Sequence, residues 1–175
     1  MNYCSHCGAV VQLIHLPNDN LPRFVCTACA TIHYQNPKMV TGCLVYWQDK
    51  VLLCKRAIEP CKGLWNIPAG YLENGETAEM GAVREVWEES SATVTVQGLH
   101  CLYSIPRINQ VYLIFLATLA APQFSSTTES SEVALFSENE INWNEIAFTS
   151  SIFALQHFFS DLRSGKSQVH IGSFT

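Results

Sequence analysis

Two Cys-x-x-Cys pairs, Cys4/Cys7 and Cys26/Cys29, stand within the first 30 residues with eighteen residues between the pairs. No other feature restricts so tightly what this chain of 175 residues can fold into. A two-residue gap lets one tight turn present both sulfurs to one ion, and two such turns close a tetrahedral four-thiolate zinc site. Such a site leaves no position open for water or substrate, so the Zn²⁺ expected on Cys4, Cys7, Cys26 and Cys29 is structural. His6 lies inside the first pair, but four thiolates already satisfy the ion. Residues 1–34 are therefore expected to form a module of their own, with residues 35–175 as a single domain large enough for a full core. The segment His33–Pro37 reads as the hinge between them.

The module resembles a zinc ribbon. Ribbons can bind nucleic acid, yet Arg23 is the single Lys or Arg between these ligand pairs and the formal net charge is −5; both argue against a nucleic-acid partner. A packing role or a homodimer contact is expected of the ribbon instead. The N-terminus lacks a basic region followed by an apolar run, and no apolar stretch reaches the roughly 20 residues of a membrane helix. The expectation is a cytoplasmic protein without a membrane partner. Eight cysteines in a reducing compartment read as metal ligands or buried thiols rather than disulfides, and Cys43, Cys54 and Cys101 fall in apolar runs that suit inert buried thiols.

Beyond the module, Met39–Trp47 and Val51–Lys55 are apolar, β-branched runs joined by Gln48-Asp49-Lys50, which predicts a hairpin. A Gly/Pro-punctuated loop, CKGLWNIPAGYLENGE, leads to a helix predicted from about Thr77 to Ser90. Two further strands, TVTVQGLHCLYSI and NQVYLIFLATL, and a short one near Val133–Phe136 follow by alternation. The last helix, with Ile152, Leu155, Phe158, Phe159 and Leu162 at helical spacing, is expected to start on a Ser150 or Ser151 cap and stop at Gly165.

The stretch Gly70–Thr93 sets Arg84 among six acids, Glu73, Glu76, Glu79, Glu85, Glu88 and Glu89, in a chain of which only 14% is charged. On a helix Glu85, Glu88 and Glu89 cluster, while Ala78, Ala82, Val83, Val86 and Trp87 are expected to pack on a sheet and leave three acids on the outer face. A solvated charged face is one reading. Like charges at these spacings cost roughly a few tenths of a kcal/mol per pair, however, and no Lys follows to relieve them. A site for a hard divalent ion, Mg²⁺ or Mn²⁺, accounts for the cluster better.

Gly70, Glu76 and Arg84-Glu85-Val86-Trp87-Glu88-Glu89 resemble the Nudix box, with seven specified positions over twenty residues. Leu64–Ala69 resembles the approach to that box. The departures are Ser91 in place of a glycine and Ala92 in place of a larger aliphatic residue. The resemblance implies an α/β (α+β) fold, a Nudix α/β/α sandwich with a mixed sheet behind a small zinc ribbon. It implies that Glu85, Glu88 and Glu89 bind the catalytic metals, with the Gly70 carbonyl a further ligand, and that Glu76 and Arg84 form a salt bridge orienting Glu85. Glu85 and Glu88 would then be catalytic. A distal glutamate supplies the general base in many members, and Glu129 and Glu132 are the candidates, with Glu132 preferred because it abuts a strand.

The reaction implied is hydrolysis of a nucleoside diphosphate linked to another moiety, giving a nucleoside monophosphate and a phosphorylated remainder. The Ser-Gln-Pro-Trp-Pro-Phe-Pro type segment of NADH pyrophosphatases is absent, and the corresponding stretch reads CLYSIPRINQVYL. The ribbon, HYQNPK, RAIEP, LWNIPAGYLENGE and INQVY look like a subgroup linked to ADP-ribose and FAD hydrolysis. Arg56 and Arg107 are candidates for phosphate contacts, and Trp65 or Tyr71 for stacking on a base. The alternatives are an NADH or dinucleoside polyphosphate hydrolase, or a non-catalytic nucleotide-sensing module.

Overall fold

The computed structural model describes Met1–Phe174 and separates into two units, Met1–Asn36 and the chain from Pro37 on. The N-terminal unit carries more regular structure than its sequence suggests: β1 (Val11–His15), β2 (Pro22–Cys26) and β3 (Ile32–His33) form an antiparallel sheet in that order. Each Cys-x-x-Cys pair sits in a turn of the same form. Gly8 N–H donates to Cys4 O at 2.9 Å and Ala30 N–H to Cys26 O at 3.2 Å, and both residues take positive φ, 78° at Gly8 and 57° at Ala30. The apolar core is only Cys4, Val11 and Cys26, with Ala9 and Phe24 against it.

In the second unit, β4 (Lys38–Trp47) and β5 (Lys50–Arg56) make the predicted hairpin, closed through Gln48 at φ 57°. The short β6 (Trp65–Asn66) and β7 (Ala69–Tyr71) follow, then α1 (Ala78–Ser90), β8 (Val94–Ile105), β9 (Gln110–Leu119), β10 (Ser130–Phe136), α2 (Thr149–Ser164) and β11 (His170–Ser173). The sheet runs β10-β5-β4-β9-β8-β11, mixed because β4 is parallel to β9 and β11 to β8 while the other neighbours are antiparallel. Period-2 alternation places Cys43, Val45, Leu52, Cys54, Phe115 and Ala117 on one face beneath Ala82 and Val86 of α1. Leu44, Val51, Leu53 and Ile114 lie on the other, beneath Ala154, Leu155, Phe158 and Phe159 of α2. Both faces being covered explains why these strands are apolar throughout.

The ends of α2 differ from expectation at the start. Phe148 is its N-cap without a side-chain bond, and Ser150 and Ser151 lie buried within the helix, where the Ser151 hydroxyl donates to Asn66 Oδ1 at 2.5 Å. A buried amide acceptor is a better partner for the hydroxyl than the exposed helix end. Gly165 does end the helix, in the left-handed conformation. Among the described residues no helix is long and apolar enough to cross a membrane, and all eight cysteines are free thiols.

Candidate active site

The helix α1 begins on Thr77, whose side chain accepts from Met80 N–H at 3.2 Å, and ends on Ser91 at φ 54°, ψ 17°. Its inward stripe is Gly81, Ala82, Glu85, Val86, Glu89 and Ser90. This corrects the expected outer face of acids: Glu85 and Glu89 are 8% and 6% exposed, whereas Trp87 is 57% exposed and Val83 also faces out. Only Glu88 of the three is in solvent. The stripe follows helical geometry, since 82, 85, 86 and 89 share a face, whereas a count of apolar residues favours the adjacent one.

The room for these acids comes from glycine. A Cβ on Gly70 of β7 would collide with the Glu85 carboxylate, and one on Gly81 would reach Glu76 Oε1 at 2.7 Å and the Thr41 methyl at 2.8 Å. Loop, helix and strand β4 thus pack backbone to side chain at the box. Arg84 ties them together: it donates to both Glu76 oxygens at 2.7 and 3.1 Å, to Glu85 at 2.8 Å, to Glu88 at 2.9 Å and to the Tyr71 carbonyl at 3.1 Å. The guanidinium pulls the Glu76 carboxyl down to about 2. Glu85 is pushed above the usual carboxylate range by burial, against the pull of Arg84.

Glu89 is the extreme case. Its hydrogen-bond donor is Ala69 N–H, at 3.4 Å, and burial, with the Glu85 charge nearby, pushes its carboxyl up to about 8. A buried acid this poorly neutralised is a place where a cation gains most. The donors, carboxylate oxygens of Glu85, Glu88 and Glu89, are those a Mg²⁺ or Mn²⁺ ion takes.

Glu85 and Glu89 face a cavity of about 710 Å³. Arg56 and Arg107 both line it, as do Gly70 and Glu129. Arg56 is braced by its Nε donating to Pro60 O at 2.7 Å and by its guanidinium lying 5.1 Å over the Phe148 ring. The walls are aromatic and aliphatic: Tyr71, Tyr112, Phe148, Phe174, Ile105 and Ile108. Tyr112 O–H donates to Gln110 Oε1, and Gln110 Nε2 donates to the Tyr71 hydroxyl, each at 2.9 Å.

Two expected site residues lie elsewhere. Trp65 is 8% exposed in the core, edge-on to Phe136 with centroids 4.8 Å apart, and lies outside the cavity lining; with its ring covered it cannot stack on a base. Tyr71, the other candidate, is on the wall. Glu132 faces out of β10 and pairs with Lys55 Nζ at 3.4 Å across the β10–β5 ladder. Glu129 lies one turn earlier, where its carbonyl accepts from Ala57 N–H at 2.8 Å, and lines the cavity. Alternation along the sequence does not separate the two, because Glu129 precedes β10 and the register of that strand shifts between Ser130 and Glu132.

In the N-terminal unit the four cysteine sulfurs lie within 4.8 Å of one another. Cys4 and Cys29 Sγ are 3.7 Å apart, Cys7 and Cys26 Sγ 3.4 Å; the edge of a zinc tetrathiolate is about 3.8 Å. Backbone N–H groups of His6, Ala28 and Cys29 point at the sulfurs, and His33 Nε2 lies 3.3 Å from Cys4 Sγ. The Thr31 hydroxyl draws the Cys29 thiol down to about 6, whereas at Cys7 the pull of the Ala9 backbone is outweighed by the neighbouring sulfurs of Cys26 and Cys29, which push it up to about 12.

The NUDIX domain family model matches residues 36–155, and the Nudix N-terminal zinc-ribbon model matches residues 2–35. The crystal structure of a NUDIX hydrolase from Nitrosomonas europaea is 46% identical with a TM-score of 0.95, covering 99% of each chain. An ADP-ribose pyrophosphatase of Methanocaldococcus jannaschii is 29% identical over 112 residues, 62% of this chain and 66% of that protein. A MutT-like protein of Streptomyces ambofaciens is 32% identical over 103 residues, 59% of this chain and 65% of that protein. The chain thus spans just under two thirds of the length of these two curated relatives.

Proposed function

The chain belongs to the Nudix family, and from that premise we propose that it is a Mg²⁺- or Mn²⁺-dependent pyrophosphatase. Its substrate would be a nucleoside diphosphate linked to another moiety, ADP-ribose or FAD before others, and its products a nucleoside monophosphate and the phosphorylated remainder. The observation that carries this reading is the pair of buried carboxylates, Glu85 and Glu89, lining a cavity that also holds two arginines and an aromatic wall, with exposed Glu88 next to Glu89 on the same helix.

When bound, the ions supply neutralisation of the diphosphate charge and make an attacking water more acidic. Glu85, Glu88 and Glu89 would hold them, with Arg84 fixing Glu85 and Glu88 in place. Glu129, in the cavity and without the ion pair that occupies Glu132, takes the proton as general base. Arg56 and Arg107 bind phosphate oxygens, and Tyr71 with Phe148 or Phe174 sandwiches a planar ring. Free cysteines throughout the described residues support a cytoplasmic setting, and a structural zinc on the four N-terminal cysteines supports the ribbon.

A panel of ADP-ribose, FAD, NADH and dinucleoside polyphosphates with Mg²⁺ and Mn²⁺ tests the substrate. Release of AMP from ADP-ribose or FAD, falling by about 10²-fold or more in Glu88→Gln at unchanged thermal stability, is the expected result. Wild-type rates in that variant would remove the metal assignment.

A further inference from the structure

Between α2 and the β8–β11 edge of the sheet, three imidazoles and one carboxylate converge that the diphosphate chemistry does not use. His100 comes from β8, His157 and Asp161 from α2, where a spacing of four puts them on one face, and His170 from the first position of β11. None of the four lines the cavity with Glu85 and Glu89. A ligand atom of each of His100, Asp161 and His170 lies within 4.8 Å of the other two. His170 Nε2 and Asp161 Oδ2 are 2.8 Å apart, and His157 stacks on His170 with centroids 4.0 Å apart. His100 is 3% exposed and His170 8%.

His100 Nε2 lies 2.9 Å from the Ala154 carbonyl oxygen. A carbonyl can only accept, so this ring nitrogen carries the proton and Nδ1 keeps its lone pair. One nitrogen donating to a backbone carbonyl while the other is free is the posture of a metal-ligating histidine. We propose that His100, Asp161 and His170 form a transition-metal site of the Zn²⁺ class, with water as fourth ligand and His157 stacked over it. Two nitrogens and one carboxylate oxygen suit Zn²⁺ or a close neighbour and not Mg²⁺, which seeks oxygen alone.

Ligands about 2.0–2.1 Å from a tetrahedral ion lie about 3.3 Å apart, so loading requires the proton shared by Asp161 Oδ2 and His170 Nε2 to leave to solvent, that pair to open by about half an ångström and His100 to close on it from within 4.8 Å. Loading would tie the four-residue edge strand β11 to α2 and β8 at its first residue. Phe174, which follows β11, lines the substrate cavity, so the ion would also steady one wall of it.

The test is zinc stoichiometry in the full, tag-free chain, dialysed after zinc loading in millimolar Mg²⁺ to occupy the carboxylate site. Two zinc ions per wild-type chain are expected, and one in Asp161→Asn and in His170→Gln, with folding of each variant checked by circular dichroism. A second arm needs no variant: Co²⁺ added in millimolar Mg²⁺ to wild-type protein whose four cysteines already hold zinc should give visible ligand-field bands of four-coordinate intensity without the intense near-ultraviolet thiolate absorption. One zinc per wild-type chain, unchanged stoichiometry in folded variants, or no cobalt spectrum overturns the site and leaves the cluster a hydrogen-bonded anchor for β11.

Discussion

The four-cysteine site and the three-glutamate site both gather like charges about an expected cation, but they stand in opposite relation to the fold. In the N-terminal unit two of the three buried core residues, Cys4 and Cys26, are themselves proposed ligands. Such a unit has too little apolar surface to hold its sulfurs together unaided. In the second unit Glu85 and Glu89 are buried on α1, and Arg84 holds Glu76, Glu85, Glu88 and the Tyr71 carbonyl. There the fold itself positions Glu85 and Glu89, and the proposed ion would serve the chemistry.

The largest effect expected is therefore from zinc removal. Structural zinc is worth roughly 10 kcal/mol or more of folding free energy in small modules, so a chelator, or Cys26→Ser, should unfold Met1–Asn36 alone. Amide exchange should show β1 and β2 losing protection while β4 and β9 keep theirs; protection retained in β1 and β2 without zinc would erase the contrast.

The second effect concerns the glutamates. Because Glu89 sits at about 8 in the folded chain against an ordinary 4.5, the folded state binds the extra proton between those values. Stability of the zinc-loaded, Mg²⁺-free protein should then fall as pH rises from about 4.5 to about 8, with Glu85 adding in the same direction. Glu76, drawn down to about 2, contributes stability that is present above 4.5 and lost only as pH falls towards 2, so the two windows do not overlap. Thermal melts should show Mg²⁺ raising Tm more at pH 8 than at pH 5. An equal rise at both would mean that the buried acids do not receive the ion.

The smallest effects come from a matched pair. Ala30 in the second cysteine turn and Ser91 at the end of α1 each hold positive φ where glycine would be unstrained, and the first cysteine turn does use glycine, at Gly8. Ala30→Gly and Ser91→Gly should each stabilise by about 0.5–1 kcal/mol. The first should appear only in exchange protection of β1 and β2, the second only in the thermal transition of the larger unit. A gain crossing from one unit to the other would show that they do not unfold separately.

Much of the site is legible in the residues because its signals are local. The Cys-x-x-Cys turns, the Thr77 cap, the Glu76–Arg84 pairing and the hairpin at Gln48 depend on contacts a few residues apart or on a spaced motif. The inward turn of Glu85 and Glu89 is not legible by apolar count, since Val83 and Trp87 weigh more than the glycines at 70 and 81 that make room for carboxylates. Trp65 reads as a stacking candidate from its loop, yet its pairing with β5 and its contact with Phe136 put it in the core. Choosing between Glu129 and Glu132 needs the β10–β5 register, which sets Lys55 opposite Glu132.

The sequence by itself determined two units, a four-sulfur centre and an acidic helix with one arginine, because turns, caps and helical faces are read over short spans. Only the tertiary structure decided which acids are buried, which glutamate meets the cavity and that His100, Asp161 and His170 meet at all. Those depend on strand order and register between residues up to 77 positions apart, where β5 meets β10 and where β8, α2 and β11 close on one another, and no periodicity along the chain records it.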